Sequence, residues 1–188
     1  MGQGLYFVHK KDKRKYAQDL MTARQYFVNA QAALASSRPD PAASVSVLYQ
    51  LMNVEFEMAY NRDMSAEEKI SHLQKAEQYG WDASGYARQS SNAGDSAHVK
   101  LYLAVIKGRK AEVHARLGVN AQDIRKQKDE ALSEIFIATE GVRKSGHVNV
   151  RQSIDFSNTW TKRLEEPTPH LHTNIPSFAE LGPTPALF

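Results

Sequence analysis

The chain has 188 residues, no cysteine, a net charge of +3 and a pI near 9.0. That length suits one domain of roughly 100–200 residues, and 41% hydrophobic with 24% charged residues is not the composition of a disordered chain. The absence of cysteine excludes a disulfide scaffold and every thiolate metal or redox site, and no run approaches the ~18 apolar residues that a membrane-spanning helix needs.

The first predicted helix runs from about Lys11 to Ser36, because Tyr16, Leu20, Ala23, Phe27, Ala30 and Leu34 recur at steps of three and four. Ser36-Ser37-Arg38-Pro39 ends it, and Asp40-Pro41 reads as an N-cap followed by a proline in the first turn. The second helix runs to about Asn61. It carries two apolar stripes, one with Val45, Leu48, Met52, Phe56 and Ala59, the other with Val47, Leu51, Val54 and Met58. Two stripes predict burial on two sides, so this helix is expected to sit centrally.

Ser65-x-x-Glu68 reads as a capping box for the third helix, whose buried face holds Ile70, Leu73 and Ala76. Gly80 is expected to end it, with Trp81 packing back and a short helix over 83–91. The fourth helix is expected from about Asp95 to Leu117, with Val99, Tyr102, Ile106, Val113 and Leu117 on one face and a charged outer face from Lys107 to Arg116. Gly118 stops it and Asn120 caps the fifth, over about Ala121 to Lys144, where Ile124, Ala131, Ile135, Ala138 and Val142 align.

After Gly146, Val148, Val150, Ile154 and Phe156 keep even spacing, which reads as strand periodicity or an extended arm. Five of the seven prolines lie between Pro167 and Pro185, so residues 165–188 cannot build a core of their own. The expected organisation is an N-terminal extension (1–10), an all-α domain of about five antiparallel helices (11–145), and an extended proline-rich C-terminal arm (146–188).

Three helices contain or approach the spacing Ala-x3-large-x2-Ala: Ala23, Phe27 and Ala30; Ala131, Ile135 and Ala138; and Lys69, Leu73 and Ala76, which departs at its first position. This resembles the second helix of a tetratricopeptide repeat, where small residues let two helices approach closely. Tyr79-Gly80-Trp81-Asp82 followed by Tyr86 is faintly similar to a pentatricopeptide boundary, without that family's proline. The three triplets begin at residues 23, 69 and 131, whereas a regular repeat would space them at about 34. The resemblance covers residues 11–145. It implies a helical-hairpin array or bundle that binds a protein segment or, in the pentatricopeptide case, RNA.

Signatures of catalysis are missing. The sequence holds no G-x-x-x-x-G-K-[ST], no G-x-G-x-x-G and no H-E-x-x-H. His170-x-His172 is the only close histidine pair, and it has no positioned third ligand. Glu55 and Glu57 are two apart on one helix and so point away from each other. No catalytic residue, metal or cofactor is expected, and no small-molecule substrate.

Two functions remain. The first is a non-catalytic structural or interaction subunit of a larger assembly, docking through its helical core and its arm. Its partner-binding residues would be Val148, Val150, Ile154, Phe156, Trp160, Phe178 and Leu181, with Trp160 as the main anchor. The alternative is RNA binding through two basic patches, Lys10, Lys11, Lys13, Arg14 and Lys15, and Lys107, Arg109 and Lys110. Charge is uneven along the chain: residues 1–38 carry seven Lys/Arg and two acids, residues 39–95 four and nine. The acidic middle argues against a continuous basic surface. No apolar leader opens the chain, and the lack of cysteine fits an intracellular, reducing compartment, cytoplasm or mitochondrion.

Overall fold

The computed structural model describes residues 13–36, 40–61, 63–89, 93–145 and 150–166. Among these residues there are six α-helices and no strand: α1 (Lys13–Ala35), α2 (Pro41–Met58), α3 (Ala66–Gln89), α4 (Ala93–Arg116), α5 (Ala121–Ser145) and α6 (Val150–Glu165). The all-α class is as expected. Each helix packs on the next one in the chain, and α4 also touches α2 and α6. No described helix is long and apolar enough to cross a membrane.

Several end signals form as read. The Asp40 carboxylate accepts from Ala43 N at 3.0 Å and opens α2. The Ser65–Glu68 box closes both ways: Ser65 N donates to Glu68 Oε2 at 2.7 Å, and Glu68 N donates to Ser65 Oγ at 3.1 Å. Gly118 takes a φ of 75° after α4, in the left-handed region that favours glycine. Asn120 then accepts from Gln122 N at 2.8 Å.

Three expectations are corrected. Residues 66–89 form one helix rather than a helix ending at Gly80 and a shorter one after it. Gly80 is a packing residue. A Cβ there would lie 2.6 Å from Leu103 Cδ2 and 3.1 Å from Met52 Sδ, so glycine lets α3 close onto α4 and α2. Trp81, on the next position, points away and is 60% exposed. Second, residues 150–165 form α6 rather than an extended arm. Ser153, Phe156, Ser157, Trp160 and Leu164 make its buried face, at helical steps of three and four. The gap of four from Val150 to Ile154 suits a helix as well as a strand, and the prolines begin only at Pro167. Third, the charged outer face expected on α4 is partly internal: Arg109 and Glu112 are buried with Leu101 to Ile106 and Val113. Gly108 adds to this burial, since a Cβ there would meet Leu164 Cδ1 of α6 at 2.7 Å.

The core joins α2 to α6 through Leu48, Met52, Phe56, Leu73, Tyr102, Ile106, Ile135 and Trp160. A smaller cluster of Leu20, Ala23, Val54 and Met58 fixes α1 to α2. Between α1, α2 and α3 lies one fully buried carboxylate. Glu55 receives Arg24 Nε of α1 at 2.6 Å on one oxygen, and His72 Nδ1 of α3 lies 2.6 Å from the other. Burial pushes this carboxyl up, but the hydrogen bonds and charges of His72 and Arg24 outweigh it and hold it below the usual glutamate value.

Three tests follow from this packing and its buried carboxylate. Gly80→Val should lower stability by about 2 kcal/mol in urea unfolding, through overpacking against Leu103. Gly85→Ala should raise it by roughly 0.8 kcal/mol, because nothing lies within 4 Å of a Cβ there and alanine is the better helix former. The depressed Glu55 carboxyl stabilises the fold above the unfolded value near ~4.3 and loses that contribution as pH falls through its lower folded value. Glu55→Gln should therefore cost roughly 3 kcal/mol at pH 7, with the gap to wild type closing below about pH 4 when urea midpoints are compared across pH.

Candidate binding face on helices α2, α4 and α6

Helix α2 uses its circumference for three neighbours. Val54 and Met58 meet α1, Leu48 and Met52 belong to the core shared with α3, and Tyr49 meets α4 edge-on at Tyr102, with ring centroids 5.1 Å apart. These contacts leave a fourth stripe, Ser46, Gln50, Asn53 and Glu57, at steps of four, three and four. Helices α1, α3 and α4 pack along α2, and α6 reaches it through Trp160 on Phe56. The stripe is sheltered: Gln50, Asn53 and Glu57 are each at most 4% exposed.

Along this stripe the hydrogen bonding is incomplete. Neither Oδ1 nor Nδ2 of Asn53 has a hydrogen-bond partner, and nor does Gln50 Oε1. Glu57 accepts from the hydroxyl of Tyr16, from α1, at 2.7 Å. A buried amide without partners costs about 1–3 kcal/mol, so two such side chains on one face call for an explanation.

Next to the C-terminal end of α2 lies a charged cluster. Arg109 of α4 is 1% exposed, stacks on the Tyr60 ring 4.6 Å from its centroid, and donates to Glu112 Oε2 at 2.7 Å. Arg163 of α6 takes both Glu112 oxygens, and its guanidinium lies over Trp160 at 5.2 Å. One carboxylate therefore serves two guanidinium groups. Burial pushes the Arg116 guanidinium below its usual value, and Arg109 adds to that while Glu112 opposes it. Burial likewise pushes the Tyr60 phenol up, keeping it protonated. Arg109 Nε, the Tyr60 hydroxyl and Trp160 Nε1 are buried here without a hydrogen-bond partner.

On the α5 side polar side chains pair across helices. The Thr139 and Ser157 hydroxyls join α5 to α6 at 2.7 Å, and Ser153 of α6 lies 2.6 Å from His98 Nε2 of α4. Among the described residues no group of three or more His, Asp or Glu side chains is placed to hold a metal. What the face offers chemically is recognition: amide, indole, guanidinium and phenol groups beside aromatic rings.

The residues expected to bind a partner are distributed as follows. Val148, Phe178 and Leu181 lie outside the described residues. Val150 opens α6 and Ile154 is half-buried on it. Phe156 stacks on Tyr102, centroids 4.8 Å apart, and Trp160 packs on Phe56 at 6.1 Å. Both are core side chains, and Trp160 is 1% exposed. Of the basic residues, Lys10 and Lys11 lie outside the described residues, while Lys13, Arg14 and Lys15 make the first turn of α1. Lys107 is held by Glu130 and Glu134, Lys110 by Glu77, and Arg109 is buried. The α2 stripe and the Arg109–Glu112–Arg163 cluster were not singled out from the sequence. The signal available was a run of polar residues, at helical spacing, between the two apolar stripes of α2.

No protein-family model, curated protein or solved structure matches this chain.

Removing the shared carboxylate should be costly, because it leaves two largely buried cations without their partner. Glu112→Ala is expected to lower stability by about 3–5 kcal/mol, measured as the shift in urea midpoint.

Proposed function

We propose that this chain is a non-catalytic interaction subunit, and that the α2 stripe with the adjoining α4 and α6 surface receives an extended segment of a partner protein. The observation that carries this reading is Asn53, which is 3% exposed while both polar atoms of its amide lack partners. A planar amide whose NH2 and carbonyl oxygen are both free can donate to and accept from a peptide unit in extended conformation. The proline-rich residues 167–188 supply a second contact in this reading.

The resemblance to tetratricopeptide repeats belongs with the same proposal. The alanine triplets fall on α1, α3 and α5, leaving α2, α4 and α6 as the first helices of successive hairpins, and α4 touches both α2 and α6. The RNA reading has less behind it, because Lys107 and Lys110 are occupied by glutamates and Arg109 is internal. The chain's lack of cysteine supports a reducing compartment.

The test is a comparison of wild type with Asn53→Leu, a substitution of similar shape that removes an unsatisfied amide. Stability should be unchanged or higher by up to about 1 kcal/mol. Proteins retained stoichiometrically on the wild-type chain, after nuclease and a high-salt wash, should be lost from the variant. Equal retention by both would remove the stripe from partner binding. Recovery of RNA alone, when nuclease and salt are omitted, would move the function to the basic residues.

A further inference from the structure

Helix α1 buries one side against α2, through Leu20 and Ala23 beside Val54 and Met58. Its opposite side, at positions 18, 21, 22, 25, 26, 29, 32, 33 and 36, is exposed along its whole length. None of these positions holds a charged residue. The exposed positions of α5, by contrast, include Asp123, Arg125, Lys126, Asp129, Glu130 and Glu134. The solvent side of a surface helix is ordinarily charged or polar. On α1 it carries Met21, 67% exposed, and Tyr26, 60% exposed, which border a shallow depression with Gln18, Gln25 and Asn29. We propose that two copies of this chain pair along this side of α1, antiparallel, about a two-fold axis level with Phe27.

Two observations single out a second copy as the occupant. The first is self-complementarity. In a two-fold pair, residue i of one copy meets residue j of the other, and j meets i. With the axis at Phe27, residues equally far before and after it come level. The exposed positions then pair among themselves: Gln18 with Ser36, Met21 with Ala33, Thr22 with Ala32, and Gln25 with Asn29. The larger residues of the first half of the helix meet small ones of the second half, which lets the two helices approach closely. Tyr26 falls beside the axis, next to its own copy. Within one helix the Gln25 amide donates to Asn29 Oδ1 at 2.9 Å, and the same two side chains can exchange that bond across the axis.

The second observation is charge. Lys13, Arg14 and Lys15 open α1, its first turn has no acid, and its last turn has no base. The helix dipole favours the reverse. Antiparallel pairing brings the basic first turn of each copy toward the C-terminal end of the other's α1, where positive charge is favourable. A parallel pair would set the two basic turns side by side. The pairing uses the side of α1 turned away from α2, so it stands independently of the α2 stripe and of the function proposed above.

Sedimentation equilibrium of the full-length chain at about 0.1 mM tests the pairing. The wild type should sediment at twice 21.1 kDa. Two double variants then read the register. Gln25→Lys with Asn29→Lys sets like charges level with each other, and should weaken dimerisation roughly tenfold or more. Gln25→Lys with Asn29→Glu sets lysine level with glutamate at both contacts, and should keep the dimer. Both positions are exposed, so circular dichroism and urea midpoints of the variants should match those of the wild type. A monomeric wild type would overturn the proposal. A dimer that the double lysine variant leaves intact would also overturn it and assign the contact to another face. Equal weakening by both variants would exclude the antiparallel register.

Discussion

A single buried carboxylate, Glu112, ties α6 to α4 beside the packed rings of Phe156 and Trp160. It accepts from Arg109 within α4 and from Arg163 of α6, and each guanidinium also lies over an aromatic ring, Tyr60 after α2 and Trp160 on α6. Three helices therefore meet around one buried charge. Such a group is tolerated inside a protein only when its partners are in place. This fixes the register of α6, puts Phe156 on Tyr102, and lets Leu164 close onto Gly108.

The same economy explains the α2 face. Helix α2 has apolar contacts toward α1, toward α3 and toward α4, and Glu55 secures the α1 and α3 sides through Arg24 and His72. The residues left over are polar and sheltered, with hydrogen bonds unmet. Elsewhere Thr139 meets Ser157 and Ser153 meets His98, whereas along this stripe both polar atoms of Asn53 and Gln50 Oε1 are left without partners. A site that recognises an extended chain has this character: its polar groups are satisfied by the backbone it binds.

The fold was largely legible where local chemistry decides it. Asp40, the Ser65–Glu68 box, Gly118 and Asn120 mark ends that form, and the stripe of α5 is buried as its spacing implies, while on α1 Leu20 and Ala23 are buried and the rest of the stripe is half-buried. The failures share one cause, that tertiary packing overrode a local signal. Gly80 looks like a helix stop, but it is where Leu103 approaches. Val150 and Ile154 suggest alternation, while Phe156, Trp160 and Leu164 respond to α4. Arg109 in a charged run reads as surface, and its burial is made possible by Glu112, one turn on, and by the Tyr60 ring on which it stacks. The binding face was the least legible part, because an unmet hydrogen bond is a property of neighbours that are not adjacent in sequence.

The most direct measurement is the side-chain NH2 signal of Asn53 in the full-length ¹⁵N-labelled protein, assigned by its disappearance in Asn53→Leu. Buried as described, this pair of protons exchanges slowly with water, and in the function proposed here it shifts when a protein retained on the wild-type chain is bound. A pair that exchanges rapidly and does not shift on binding would contradict the stripe as the partner site.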